Sequence, residues 1–125
     1  MNSLPSQVGK AGEFFVCYYL TLYYGIECVL VDREDDDIWI KTPNRRIRTL
    51  QVKTTLSPVI KRSGPRYYFN ANNSKTADFF VLFAADRQCF LLKRTQNIKQ
   101  KFITLPSWSF TKVNMHRSIR TSLNV

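Results

Sequence analysis

A glutamine and a lysine alternate with apolar residues in "LQVKTT", Leu50–Thr55. Side chains of a strand alternate between its two faces, so Gln51 and Lys53 point together, away from the face of Leu50 and Val52. About a dozen residues upstream, "DREDDDIWI" holds the densest group of acids in a chain that has 19 Lys and Arg but only 9 Asp and Glu. Carboxylate and amide oxygens bind hard divalent cations, and an ammonium group stabilises charge on a phosphate. The residue types therefore suit metal-assisted phosphodiester hydrolysis.

Two carboxylates are candidates to join this pair. Asp37 directly precedes the alternating Ile38 and Ile40, which predict a short strand with Asp37 at its start. Glu13 lies in a predicted N-terminal helix, beside a phenylalanine pair. If the strand after Asp37 pairs with "LQVKTT", we expect all four polar groups to converge. Asp36 stays open as an alternative to Asp37.

This order of residues resembles the PD-(D/E)xK nuclease superfamily, whose signature is an Asp near a strand start, then (D/E)-x-K on the next strand. Asp37 matches the Asp, Gln51-Val52-Lys53 matches the tripeptide, and Glu13 matches an acid on the first helix. The segments "GKAGEFFVCYYL" and "ADFFVLFAADRQCFLL" are similar to the branch of intron-associated homing endonucleases and Holliday-junction resolvases. The resemblance covers residues 9–92. Gln51 is a departure, because most members carry an acid there.

The resemblance implies a magnesium- or manganese-dependent DNA endonuclease. Asp37 would be the main metal ligand, with the Gln51 amide oxygen and the Val52 backbone carbonyl completing the set. Glu13 would bind a second metal or hold the first through water. Lys53 would orient the attacking water and stabilise the transition state. Because Gln51 is neutral, a catalytically inactive nucleic-acid-binding module with the same fold is an alternative.

The predicted fold is α/β and restriction-endonuclease-like, in one domain of residues 1–125 with a core over 6–94 and a basic extension over 95–125. A helix over Ser6–Tyr24, capped by Ser6, is expected to be well buried. A three-stranded antiparallel meander follows, up to Thr55. Residues 57–75 predict a long loop with a short strand or turn near Tyr67–Phe69. A buried strand and a returning strand occupy residues 77–94. In the extension, Pro106, Trp108 and Phe110 are expected to dock on the core before a short helix over 114–123.

The formal charge of +10 favours a polyanionic partner. We expect double-stranded or branched DNA; a basic subunit that docks on an acidic partner is the alternative. The basic residues expected to contact DNA are Arg45, Arg46, Arg48, Lys61, Arg62, Arg66, Lys99, Lys101, Lys112, Arg117 and Arg120. One small domain reaches only a short way across a duplex, so we expect a homodimer or a higher oligomer.

The sequence argues against several other classes. The longest apolar runs are too short for a membrane-spanning helix, and the N-terminus lacks the layout of a signal peptide. A cytoplasmic, nucleic-acid-associated protein is therefore expected. The three cysteines, Cys17, Cys28 and Cys89, form no CxxC pair and predict buried apolar positions. His116 is the only histidine, so a zinc site or a histidine triad is poorly supported.

Overall fold

A five-stranded sheet carries Gln51 and Lys53, Asp37 directly precedes one of its strands, and Glu13 lies on the first helix. The computed structural model describes residues 4–31, 36–71 and 76–125. Three of the acids noted upstream of Asp36 (Asp32, Glu34 and Asp35) lie outside these ranges. In chain order the elements are α1 Pro5–Tyr24, β1 Glu27–Leu30, β2 Ile38–Lys41, β3 Ile47–Thr55, β4 Val59–Lys61, β5 Gly64–Asn70, β6 Phe79–Ala84, β7 Cys89–Arg94, β8 Phe102–Pro106 and α2 Lys112–Leu123.

The larger sheet has the strand order β1-β2-β3-β6-β7. Strands β1, β2 and β3 form the predicted antiparallel meander, with Ile38 opposite Leu50. Strand β6 pairs in parallel with β3 and antiparallel with β7. All six residues of β6 are buried, because this strand has apolar side chains on both faces. The mixed α/β architecture confirms the predicted fold class.

Helix α1 crosses one face of this sheet and begins one residue earlier than predicted. Pro5 occupies the first turn, where its missing N–H costs nothing, and Leu4 is the capping residue. The prediction that Ser6 caps the helix was therefore wrong; the Leu4 N–H instead donates to Gln7 Oε1 at 2.9 Å. The helix ends at Gly25, which adopts a left-handed conformation with φ +62° as predicted.

The close approach of α1 to β3 depends on Gly12. A Cβ atom at this position would lie 2.0 Å from Thr54 Oγ1 and 3.3 Å from Phe83 Cδ2. Any larger residue would therefore push the helix away from the sheet. Glu13 follows directly, so this contact fixes its distance from β3.

The expectation that α1 is well buried was wrong along one side. Its buried residues are Gly12, Val16, Tyr19 and Leu20, while Phe14, Tyr18 and Leu22 are more than half exposed. The apolar residues are too many for one buried stripe, so the helix presents a second apolar side to solvent. Across the described part of the chain, no helix is long and apolar enough to span a membrane.

Two strands of a second, three-stranded antiparallel sheet occupy residues 59–61 and 64–70, where a long loop was predicted; residues 72–75 of that predicted loop lie outside the described ranges. Strands β4 and β5 form a hairpin, and β5 pairs with β8. Strand β5 confirms the short strand expected near Tyr67–Phe69, but its pairing with β4 was missed; Gly64 in the turn between them takes φ +109°. Tyr67 and Phe69 alternate into the core, as expected for a strand with one buried face. Strand β8 was missed, since it pairs with β5, which is distant in sequence.

Helix α2 confirms the predicted C-terminal helix and covers the outer edge of β7. Met115, Ile119 and Leu123 are buried on it. The β7 amide of Phe90 donates to Met115 Sδ at 3.4 Å, and that of Leu92 donates to Ser118 Oγ at 3.3 Å. These contacts occupy backbone donors that an edge strand otherwise leaves open.

The segment before α2 docks only in part, and one histidine ties the two helices together. Phe110 is buried as predicted, but Trp108 is 72% exposed, so its expected docking was wrong. His116 of α2 is hydrogen-bonded through Nε2 to the Tyr19 hydroxyl at 2.8 Å and through Nδ1 to the Tyr24 hydroxyl. The only histidine is thus a link between α1 and α2.

Candidate active site

Asp37 lies where β2 diverges from β3. Its backbone N–H donates to the Leu50 carbonyl at 2.9 Å, and its carbonyl accepts from the Val31 N–H at 3.0 Å. Its carboxylate Oδ2 accepts a 2.7 Å hydrogen bond from the Val52 N–H. The side chain is thereby fixed beside the middle of β3, next to the "QVK" tripeptide.

Burial raises the pKa of Asp37 above its ordinary value of 3.8, and the neighbouring charge of Asp36 adds to this effect. The Val52 N–H, Lys53 and Lys10 act in the opposite direction. The charges of Lys53 and Lys10 therefore favour the ionised form of a partly desolvated carboxylate.

Gln51 presents a buried oxygen with no partner. Its side chain is 4% exposed, and Oε1 has no hydrogen-bond partner among residues 4–31, 36–71 and 76–125. Strand alternation predicted that Gln51 lies away from the core; the structure instead buries its side chain. An unpaired amide oxygen at this depth costs free energy unless a ligand completes it.

Lys53 lies on the same side of β3 as Gln51 and is half-buried. Its Nζ is 5.9 Å from the centre of the Phe80 ring. Its charge holds the pKa of Asp37 lower than burial alone would. The ammonium group therefore acts electrostatically on the Asp37 carboxylate.

Glu13 is joined to the site through Lys10. Its carboxylate forms an ion pair with Lys10 at 3.3 Å, one helical turn away, and the Glu13 side chain is only 13% exposed. Lys10 in turn acts on the pKa of Asp37. The sequence analysis did not identify Lys10 as a neighbour of the site; its three-residue spacing from Glu13 was the available signal.

Asp36 points to a different partner. Its Oδ2 accepts a 3.1 Å hydrogen bond from Trp39 Nε1. Its Oδ1 is buried without a hydrogen-bond partner in the described part of the chain. Because Asp37, and not Asp36, binds the Val52 amide, the geometry favours Asp37 as the acid of the site.

The acids alone do not form a metal cluster. Within the described ranges, no group of three or more His, Cys, Asp or Glu side chains is arranged to hold a metal ion. Mg²⁺ is commonly bound by one or two carboxylates together with water and substrate phosphates. The Asp37 carboxylate and the unpartnered Gln51 oxygen therefore fit such an ion, although a larger acidic cage is lacking.

The eleven basic residues predicted to contact DNA are spread over four regions. Arg45 and Arg46 lie in the β2–β3 turn and Arg48 on β3, at the opposite end of β2 from Asp37. Lys61, Arg62 and Arg66 belong to the β4–β5 hairpin, which directly follows β3. All eleven are exposed except Arg48 and Arg66, which are half-buried.

The remaining five basic residues flank β8 or lie on α2. Lys99 and Lys101 precede β8 and are exposed. Lys112 donates to the Gln88 carbonyl at 2.7 Å, and Arg117 donates to Asn114 Oδ1 at 3.2 Å. Arg120 is exposed near the end of α2. Lys112 therefore has a structural contact, while Lys99 and Lys101 present their charges to solvent.

The chain is similar in structure to a bacterial homing endonuclease, I-Ssp6803I. The two share 16% sequence identity with a TM-score of 0.62, and the match covers 100% of both chains. No protein-family profile matches the sequence, and no curated protein does. At this identity the likeness shows the fold: the chain has a nuclease-like fold.

Proposed function

We propose that this protein is a metal-dependent DNA endonuclease of the PD-(D/E)xK type. The observation that carries the proposal is the unpartnered, buried Oε1 of Gln51, next in the chain to Val52, whose N–H binds the Asp37 carboxylate. A strand of purely structural role gains nothing from a buried amide oxygen without a partner. The likeness in fold to a homing endonuclease supports the same reading.

The proposed metal is Mg²⁺ or Mn²⁺. Asp37 and the Gln51 amide oxygen would hold it, with the Val52 backbone carbonyl as a third ligand. Glu13 would act through a second ion or through water. A bound divalent cation supplies a Lewis acid that polarises the phosphate and lowers the pKa of a coordinated water.

The residues of this chain have distinct roles in the proposed reaction. The Val52 amide holds the Asp37 carboxylate in place at 2.7 Å. Lys53 orients the attacking water and stabilises the negative charge that develops on the phosphate. Lys10 forms an ion pair with Glu13 at 3.3 Å.

The proposed substrate is double-stranded or branched DNA. The basic residues of the β4–β5 hairpin follow β3 directly and would bind phosphates next to the site. Those before β8 and on α2 would extend the contact. The short reach of a single small domain favours a homodimer or a higher oligomer.

A cleavage assay tests the proposal. Purified protein is incubated with supercoiled plasmid, linear duplex and a four-way junction, with and without Mg²⁺. We expect Mg²⁺-dependent cutting that is lost in Asp37→Asn and kept in Glu27→Gln, which removes an exposed acid on β1. Equal cutting by Asp37→Asn and the wild type would show that the proposed site is wrong.

A second candidate is a DNA-binding module without activity. It is favoured by the lack of a cluster of three acidic, histidine or cysteine ligands over residues 4–31, 36–71 and 76–125. This candidate predicts salt-dependent DNA binding with no cutting in any divalent metal. The same assay, with a binding measurement in Ca²⁺, separates the two.

A further inference from the structure

The outward side of α1 is apolar and uncharged along its C-terminal half. Phe14, Tyr18 and Leu22 are 55%, 57% and 58% exposed, and they follow one another at four-residue steps. Residues four apart are neighbours on a helix surface, so the three side chains form one ridge. No charged residue occurs from Phe14 to Tyr24. A solvated helix face normally carries charges, and a continuous exposed apolar ridge is typical of a binding surface.

A shallow cavity lies beside this ridge. It has a volume of about 370 Å³ and is lined by Cys17, Tyr18, Thr21 and Leu22 of α1 and by Cys28 of β1. A hydrogen bond with Cys28, together with burial, raises the pKa of the Cys17 thiol, so this thiol stays neutral. The cavity is therefore suited to an apolar side chain.

The ridge and the cavity are complementary to each other. Successive helix residues are about 100° apart, so Phe14, Cys17 and Thr21 lie on the same side of Tyr18. Phe14 is four residues before Tyr18, and Leu22 is four residues after it. A two-fold axis that passes Tyr18 and runs two copies of α1 antiparallel would therefore place Phe14 of each copy over the cavity of the other.

We propose that the outward side of α1 is a homodimer interface, with Tyr18 at the two-fold axis and Phe14 of each copy in the cavity of the other. A contact of this kind uses the same patch on both copies, as two-fold interfaces do. Each copy carries a net charge of +10, so contacts through basic surfaces would repel. An acidic or nucleic-acid partner would require charged donors, which this ridge does not supply.

The interface is small, so the dimer is weak. From their exposed fractions and the usual area of a large side chain, the three ridge residues bury roughly 250–430 Å² per copy. A standard interface buries about 800 Å² per partner. The partner of the proposed nuclease at this surface is a second copy of the chain. The evidence for this dimer is the packing and charge of α1, independent of nuclease activity. The dimer is therefore tested without DNA or metal.

Sedimentation of the full chain gives the first test. From about 1 to about 500 µM, a range that covers weak interfaces, we expect the wild type to shift from monomer to dimer. Leu22→Lys places two like charges within the contact and should remain monomeric. Val113→Lys adds the same charge at a 64% exposed position on α2 and should dimerise like the wild type. A dimer that persists in Leu22→Lys, or a wild type that stays monomeric, would overturn the proposal.

Cross-linking at the axis gives the second test. In a background of Cys17→Ser and Cys28→Ser, Tyr18→Cys brings two thiols together across the axis; Cys89 is buried and does not compete. We expect a disulfide-linked dimer to form at least tenfold faster than in Val113→Cys on the same background. Equal rates would contradict an axis at Tyr18. If the chain cleaves DNA but fails both tests, the proposed nuclease function is supported and the proposed interface is wrong.

Discussion

The Val52 N–H donates a 2.7 Å hydrogen bond to Asp37 Oδ2 and so joins the start of β2 to the middle of β3. This contact holds a carboxylate where the two strands separate, beside the buried amide of Gln51. Asn has an oxygen at the same place, so Asp37→Asn preserves the hydrogen bond while it removes the charge. The variant therefore separates the electrostatic role of Asp37 from its structural one.

We expect Asp37→Asn to be slightly more stable than the wild type at pH 7. Burial raises the pKa of Asp37 in the folded protein, so folding favours the protonated carboxyl group. As the pH rises through the raised pKa, Asp37 ionises and the folded wild type loses stability relative to the neutral variant. The advantage of the variant should shrink as the pH falls toward 3.8 and below. Thermal unfolding between pH 3 and pH 8 measures it, with a gain of about 1–3 °C at neutral pH. A gain that is the same at every pH would contradict the assigned cause.

Replacing Lys53 should lower the rate without removing the metal. Lys53→Ala takes away an ammonium group near Asp37, and the loss of an acid–base or charge-stabilising group costs about a hundred-fold or more in rate. Single-turnover cleavage gives the rate, and Mn²⁺ titration gives the metal affinity. Lys41→Ala, an exposed lysine on β2, is the control. If Lys53→Ala cuts DNA at the wild-type rate, Lys53 is not part of the active site.

Gln51→Glu should make stability depend more strongly on metal. The side chain is 4% exposed, so an added carboxylate is buried near Asp37, and the metal-free protein should lose about 1–3 kcal/mol. Mg²⁺ should restore this loss, because the new anionic ligand binds it more tightly, and cutting should be retained at a lower Mg²⁺ concentration. Unfolding curves with and without Mg²⁺ measure the effect, with Gln100→Glu as an exposed control. A metal response no larger than that of the wild type would argue against Gln51 as a ligand.

Gly12 and Thr54 should be coupled in stability. A Cβ on Gly12 would lie 2.0 Å from Thr54 Oγ1, so Gly12→Ala should overpack the contact and cost about 1–3 kcal/mol. Thr54→Ala removes the clashing oxygen, and the double variant should recover at least half of the loss. A double-mutant cycle in urea measures the coupling. Gly9→Ala, with open space around its Cβ, is the control and should not be destabilising.

The two lysines before β8 should contribute to the salt dependence of DNA affinity. If Lys99 and Lys101 each contact a phosphate, replacing both by alanine should lower affinity for all duplex sequences. The slope of log K against log salt should become shallower by about 2. Lys112→Ala should instead lower stability, because Lys112 donates to the Gln88 carbonyl. An unchanged slope in the double variant would assign Lys99 and Lys101 to a solvated surface.

Local patterns in the sequence predicted the meander, the buried strand β6 and helix α2, because each has a short-range period of apolar residues. Of the β4–β5 hairpin, only a short strand near Tyr67–Phe69 was expected. The full hairpin was not, since β5 pairs with β8, more than thirty residues away. The alternation of side chains along β3 placed Gln51 on the correct side of the strand, but it did not predict that the side chain is buried. Phe14, Tyr18 and Leu22 fit a buried stripe as well as Val16 and Leu20 do; only the position of Gly12 decides which side faces the sheet.

The contacts of Met115 and Ser118 with the backbone amides of β7 have a consequence for solubility. Strand β7 is apolar from Cys89 to Leu92, and an apolar strand with free backbone donors recruits strands from other chains. Because α2 occupies the amides of Phe90 and Leu92, the folded chain conceals an aggregation-prone edge. A chain shortened before α2, by proteolysis or by a premature stop, would expose that edge and should accumulate as insoluble β-rich material.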